Sequence, residues 1–340
     1  VTSVVDWDVA AAVAGRLAPP GPAVDRATSA RLVDELRRAA GVAAEHVAAI
    51  SGLRPSDGRP PAEVSTVLVV DRARWARAST EMFAALSTGL PVSDQVPQAA
   101  RLAAGIELGG VLALLAGKIL GQLDPYTAAG SGAGGRLLLV APNVLHVERA
   151  LGVVPSDFRL WVALHEQTHA LQFAAAPWLA DHLRDRIDTL TRDLVPDGAT
   201  LRRLAASPRD LRDVGLVALL SDSQREVFEE VSAIMALLEG HADVTMDEVG
   251  PQVVPTVATI RSRFERRRDA AARARGGARV LRVLLGLDLK LAQYREGARF
   301  VRGVRDEVGT EAFNAVWASP KTLPTPAEIV DPSAWVARVL

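Results

Sequence analysis

A mainly α fold of the α+β class, helical with one small β-sheet, is what this 340-residue sequence predicts. Three observations point there. Ala and Leu dominate, and both favour helix. β-Branched runs are few and short. Long stretches repeat their apolar residues at helical spacing. Hydrophobic residues make up 49% and charged residues 23%, the balance of a globular chain with ample core.

Segments 7–16, 26–50 and 72–88 read as helices. "GLRPSDGRPP", Gly52 to Pro61, is a Pro/Gly loop, and "EVSTVLVV", Glu63 to Val70, is β-branched and short enough for a strand. A buried helix over 100–122 comes next. Its apolar part, Gly109 to Leu123, is too short for the roughly 30 Å of a bilayer core, and Lys118 interrupts it. Gly130, Gly132 and Gly135 then spell G-x-G-x-x-G. A dinucleotide fingerprint follows a strand and opens a helix. This one precedes the strand Leu137–Val140, so it reads as a flexible loop.

A helix near Val144–Leu151 leads to the helix holding "LHEQTHALQF", Leu164 to Phe173, with Ser156 or Asp157 as its cap and Pro177 at its end. A polar connection covers about 180–220. Ser223 and Glu226 suit the capping box of a long helix that runs to Gly250-Pro251. The Arg-rich segment 255–275 is interrupted by acidic and apolar residues, the pattern of a solvated helix face. Helices near 276–289, 288–308 and 310–317 precede a Pro-punctuated tail, and no internal repeat is visible. We expect a single domain over 1–340, with an N-terminal lobe of about 1–177 ending in the "LHEQTHALQF" helix and a helical C-terminal lobe of about 178–340.

Composition excludes several function classes. A net charge of −1 lacks the basic surplus of a dedicated nucleic-acid binder. With no cysteine, disulfides and thiolate zinc sites are ruled out, and any metal must be held by His and carboxylate. No secretory signal or membrane span is visible, so a cytoplasmic protein is expected. The sequence begins at Val1 rather than Met, and its first residue is not taken as the native start.

The chemistry lies in His165, Glu166 and His169, an H-E-x-x-H set. On a helix, residues four apart share a face. His165 and His169 can therefore both offer imidazole nitrogens to one ion about 2 Å away. Glu166 points about 100° round the helix, where it reaches a water beside the ion rather than the ion itself. This helix is apolar nearly all round, through Leu160, Trp161, Val162, Leu164, Ala170, Leu171 and Phe173. Such a helix is buried, and ionisable groups on it need partners or a metal.

A third ligand lies in "MALLEGHADVTMD", Met235 to Asp247. Glu239 sits on a face otherwise made of Phe228, Met235, Ala242 and Met246, where a carboxylate needs a cation. His241 is the rival ligand, and a buried Glu239–His241 polar pair is the alternative without a metal. A His₂Glu set with water in the fourth position suits catalytic zinc. Asp243, one turn after Glu239, is placed to accept the remaining N–H of a ligating His. Gly240 costs roughly 1 kcal/mol in a helix relative to Ala, and close approach to the H-E-x-x-H helix would explain it.

These stretches, with "GKILGQLDPY", "LLLVAPNVLHVERALGV", "KLAQYREGARFVRGV" and "FNAVWASPKTLPTPAEI", resemble the zincin-like metallopeptidase family of actinobacterial candidate hydrolases associated with coenzyme F420 biosynthesis. The resemblance spans roughly Asp71 to Val339. It implies a mostly helical zincin-like fold, zinc on His165, His169 and Glu239, and Glu166 as the catalytic glutamate. The family association names no reaction or substrate.

The expected activity is zinc-dependent hydrolysis of a peptide or amide, with Glu166 taking a proton from an activated water. The alternative is an idle zinc-binding scaffold or interaction protein of the same fold. Tyr294, in "KLAQYREGARF", is a candidate donor to the developing oxyanion. His146 has no spacing that assigns it a role, and His46 and His182 read as ordinary helix-surface residues. An extended substrate would align on a strand edge, for which Leu137–Val140 is the candidate.

Overall fold

Aspartates set the starts of three N-terminal helices. Asp6, Asp25 and Asp71 accept backbone N–H groups from the first turns of α1 (Trp7–Leu17), α2 (Arg26–Ser51) and α3 (Arg72–Leu86). These helices belong to a computed structural model that describes residues 3–88, 96–127, 135–191, 221–272 and 287–340, without the side chains of 191, 268, 270–272 and 287–294. The fold is helix-dominated with one small sheet, as the sequence predicts. Two units are distinguishable. The first comprises 1–180 with 245–260, the second 181–244 with 261–340.

In the first unit, β1 (Thr66–Val70), β2 (Gly121–Asp124) and β3 (Arg136–Val140) form a sheet of order β1-β3-β2. β3 pairs parallel with β1, Val67 opposite Leu137, and antiparallel with β2, Leu123 opposite Leu137. The central strand is buried throughout, and its Leu138 and Val140 share a core with Trp75, Leu112 and Ala116. β3 is therefore no free edge, and the expectation that Leu137–Val140 aligns a substrate is corrected. Both its sides are already hydrogen-bonded, which leaves β1 and β2 as the sheet's edges.

β2 is not expected from the sequence. Helix α4 stops at Leu115 (Gln98–Leu115), short of the expected 122. Asn143 closes the gap by donating to the carbonyls of Ala116 and Ile119 at 2.7 and 2.6 Å. Asp124 then locks the strand end: its carboxylate accepts from the N–H groups of Tyr126 and Thr127 and pairs with Arg136 at 2.7 Å. Helix α4 is not the buried helix expected either. Gly105 and Gly109 lie against the carbonyls of Asp6 and Ala10, so its glycine face is the packed one. Leu102, Ile106, Val111 and Leu114 are exposed. By length and composition α4 could cross a membrane, and 22% of it is buried.

Helices α5 (Ala141–Leu151) and α6 (Pro155–Ala175) follow. Pro155 opens α6 without a side-chain cap. Asp157, expected as a cap, instead accepts from the N–H and hydroxyl of Thr256 at 3.0 and 2.7 Å. Phe158, Trp161, Leu164 and Leu171 bury α6 on several sides. α2 packs along it, and Gln167 donates to the Ala40 carbonyl at 3.0 Å. Helix α7 (Trp178–Thr191) begins one residue beyond Pro177.

Helix α8 (Asp222–Glu248) has its capping box two residues earlier than expected. Ser221 and Gln224 exchange the bonds, at 2.9 and 3.3 Å, in place of Ser223 and Glu226. Helices α9 (Val257–Ala272) and α10 (Leu287–Phe313) follow, and Gly309, at φ +81°, breaks α10. In the second unit α8 and α10 cross backbone to backbone. A Cβ on Gly297 would collide with the Ala236 carbonyl, and one on Gly240 with the Gly297 backbone. This corrects the reading of Gly240: its close neighbour is Gly297 in the "QYREGARF" stretch. Trp335 fills the adjoining core between Phe300 and Phe313, and its indole N–H donates to the Thr322 carbonyl at 2.8 Å. The glycines of the G-x-G-x-x-G at 130 and 132, most of the 180–220 connection and residues 273–286 lie outside the described residues.

Candidate metal centre

α6 presents His165 and His169 one turn apart, and their rings meet edge to face, with centroids 4.8 Å apart and planes at 89°. Nε2 of one lies 3.2 Å from Nε2 of the other. Two nitrogens on one tetrahedral zinc, each at about 2.0–2.1 Å, stand about 3.3 Å apart. The pair therefore already has the separation that a shared ion would impose.

Gln172 fixes which nitrogen faces its neighbour. Its side chain is fully buried, and its Oε1 lies 2.9 Å from His169 Nδ1. An amide oxygen accepts, so in the tautomer that makes this bond Nδ1 is the donor and Nε2 is the ligating nitrogen. At this distance a proton shared between the two nitrogens or a cation held by both satisfies the pair. The donor set fits a zinc ion. Gln172 escaped the sequence reading, although its position three residues after His169 places it on the same helix face.

Glu166 is 6% exposed. Gly121, first residue of β2, lies directly against it: a Cβ there would come within 2.5 Å of Glu166 Cδ. The absent side chain makes the room this carboxylate occupies. An edge strand thus runs beside the glutamate of the H-E-x-x-H set.

In the second unit, Glu239 is half-buried on α8. His165, His169 and Glu239 are each of a type that can offer one ligand atom to a metal ion. Asp243, one turn later, pairs with Arg261: its Oδ1 accepts at 2.7 Å, and its backbone carbonyl accepts at 3.1 Å. His241 is fully buried, its ring 5.6 Å from that of Phe313 and 5.3 Å from that of Trp317. The backbone of Tyr294 lies in α10, one turn before Gly297, and its side chain lies outside the described residues. His146 is exposed on α5.

A family model described as zincin-like metallopeptidase matches residues 5–336. Among solved structures, a candidate hydrolase with a novel fold from Chloroflexus aurantiacus is 31% identical, with 98% of each chain covered and a TM-score of 0.69. No curated protein matches the chain.

Proposed function

Because the chain belongs to the zincin-like metallopeptidase family, we propose that it is a zinc-dependent hydrolase of peptide or amide bonds, with His165, His169 and Glu239 holding the metal and Glu166 as general base. The observation that carries this reading is the 3.2 Å approach of the two imidazole Nε2 atoms beside a buried Glu166. Zinc, when bound, supplies Lewis acidity and lowers the pKa of a coordinated water.

The remaining steps belong to the chain's own side chains. Gln172 holds His169 in the tautomer whose Nε2 is the ligating nitrogen. Glu166 takes a proton from the attacking water at its carboxylate and hands it to the leaving nitrogen. The edge of β2 aligns an extended substrate by backbone hydrogen bonds. Tyr294 donates to the developing oxyanion. Asp243, paired with Arg261, and His241, buried against Phe313 and Trp317, fix α8 and with it Glu239. We further propose a cytoplasmic location and an association with coenzyme F420 biosynthesis.

Metal analysis of the purified chain tests the reading. One equivalent of zinc is expected, lost from His165→Ala and Glu239→Ala. Glu166→Gln should keep the zinc and lose hydrolysis. A chain that takes up no zinc on titration sinks the proposal. Unchanged turnover in Glu166→Gln removes it as base, and unchanged turnover in Tyr294→Phe retires the oxyanion donor.

A further inference from the structure

We infer that a small cavity in the first unit is a specificity pocket for a bulky apolar side chain, three or four residues from the bond that is cut. This inference rests on the hydrolase reading above. The cavity has a volume of about 210 Å³ and lies between the end of α6 and the loop after α2. Val64, Pro125, Phe173, Ala174 and Ala180 supply its apolar walls. Small-molecule sites occupy roughly 300–1,000 Å³, so this one suits a single side chain rather than a whole cofactor.

Its walls are tied to one another. Val64 is buried, and the Ser56 N–H donates to the Ala174 carbonyl at 2.9 Å, which ties the loop to the helix end. Arg59, also in the lining, is held by the Asp57 carboxylate, with Nε at 2.6 Å. The cation is thus neutralised within the loop, and the apolar wall is left to select the occupant.

Position links the pocket to the chemistry. Phe173 follows Glu166 by seven residues, two turns along the same face, or roughly 10 Å. Pro125 follows Gly121 by four residues, roughly 13 Å of strand. Gly121 abuts Glu166, while Pro125 and Phe173 share the cavity. β2 therefore accompanies α6 from the glutamate to the pocket. An extended substrate on that edge rises about 3.3 Å per residue, so it spans the interval in three or four residues.

The test digests a randomised dodecapeptide library with the zinc-loaded full chain and reads the cut sites by mass spectrometry. Leu, Met or Phe should be enriched about tenfold over Gly or Asp at the third or fourth residue from the cut. Ala180→Phe, which fills the cavity, should reduce that preference to less than about twofold. Phe173→Ala, which enlarges it, should shift the preference toward larger side chains. No enrichment at those positions, or enrichment unaltered in both variants, overturns the pocket. If the wild-type chain cuts nothing, the hydrolase reading falls separately. The pocket is then judged by capture of the same library on the immobilised Glu166→Gln chain. Retained peptides should carry a bulky apolar residue, and Ala180→Phe should abolish that bias. Retention without the bias, or no retention, overturns the inference.

Discussion

At the scale of the residue, the strongest constraint on the centre is a side chain that is missing. Gly121 has no Cβ where one would meet Glu166. In Gly121→Ala the carboxylate must move, and misplacing a reacting group by about 1 Å costs on the order of 100-fold in rate. Turnover should fall by that order while zinc content holds, and retained turnover would show that Glu166 has room to spare. Gln172 acts one step further out, as a positioning residue. Gln172→Ala frees the His169 ring and should lower zinc affinity by roughly 10- to 100-fold. Competition with a coloured chelator measures this, and Gln172→Glu, which keeps an acceptor, should restore most of it. The histidines were legible because a four-residue spacing on a helix has one geometric meaning. Gln172 was not, since a glutamine in a buried run carries no mark of which neighbour it holds.

At the scale of the element, the three N-terminal helices were legible from their apolar periodicity, while the caps of α6 and α8 were misplaced. Asp6, Asp25 and Asp71 cap as aspartates do. β2 was invisible because "GQLD" has no β-branched residue and no alternation. It is a strand because Asp124 reaches Arg136 twelve residues later and because β3 pairs with it. That is tertiary context overriding local preference. Gly240 was noticed for the right physical reason and matched to the wrong helix, because a sequence shows that a close approach exists but not what approaches. The crossing of α8 and α10 gives a test. Gly297→Ala drives a methyl group into the Ala236 carbonyl. Overpacking of this kind costs about 1–3 kcal/mol, which denaturant unfolding would register as a lower midpoint. An unchanged midpoint would show that the helices slide apart freely.

At the scale of the whole molecule, the composition limits what can stabilise the chain. There is no cysteine, so no disulfide holds it, and cohesion comes from packing, buried ion pairs such as Arg136–Asp124, and any metal it binds. A ligand that binds only the native chain stabilises it by about 4 kcal/mol at a thousandfold excess over its Kd. A strong chelator should therefore lower the thermal midpoint by a few degrees, and added zinc should restore it. His165→Ala should show no such shift. A wild-type midpoint indifferent to chelation would mean that zinc contributes nothing to the native state. The helical class was legible at this scale because Ala and Leu pervade the chain. The interleaving of the units was not, since no local pattern announces that a chain will leave a unit and return.

That interleaving reaches back to the ribosome. The first unit includes residues 245–260, and Asp157 meets Thr256 across 99 residues. At about 5–20 residues per second, synthesis from 180 to 260 takes roughly 4–16 s. Throughout that interval α6 and its histidines are already made while the segment that ties down its first turn does not yet exist. Nascent chains arrested at residue 180 should be digested by protease more readily than those arrested beyond 260. The helix that carries the histidines is thus written early, and its last tie is written late.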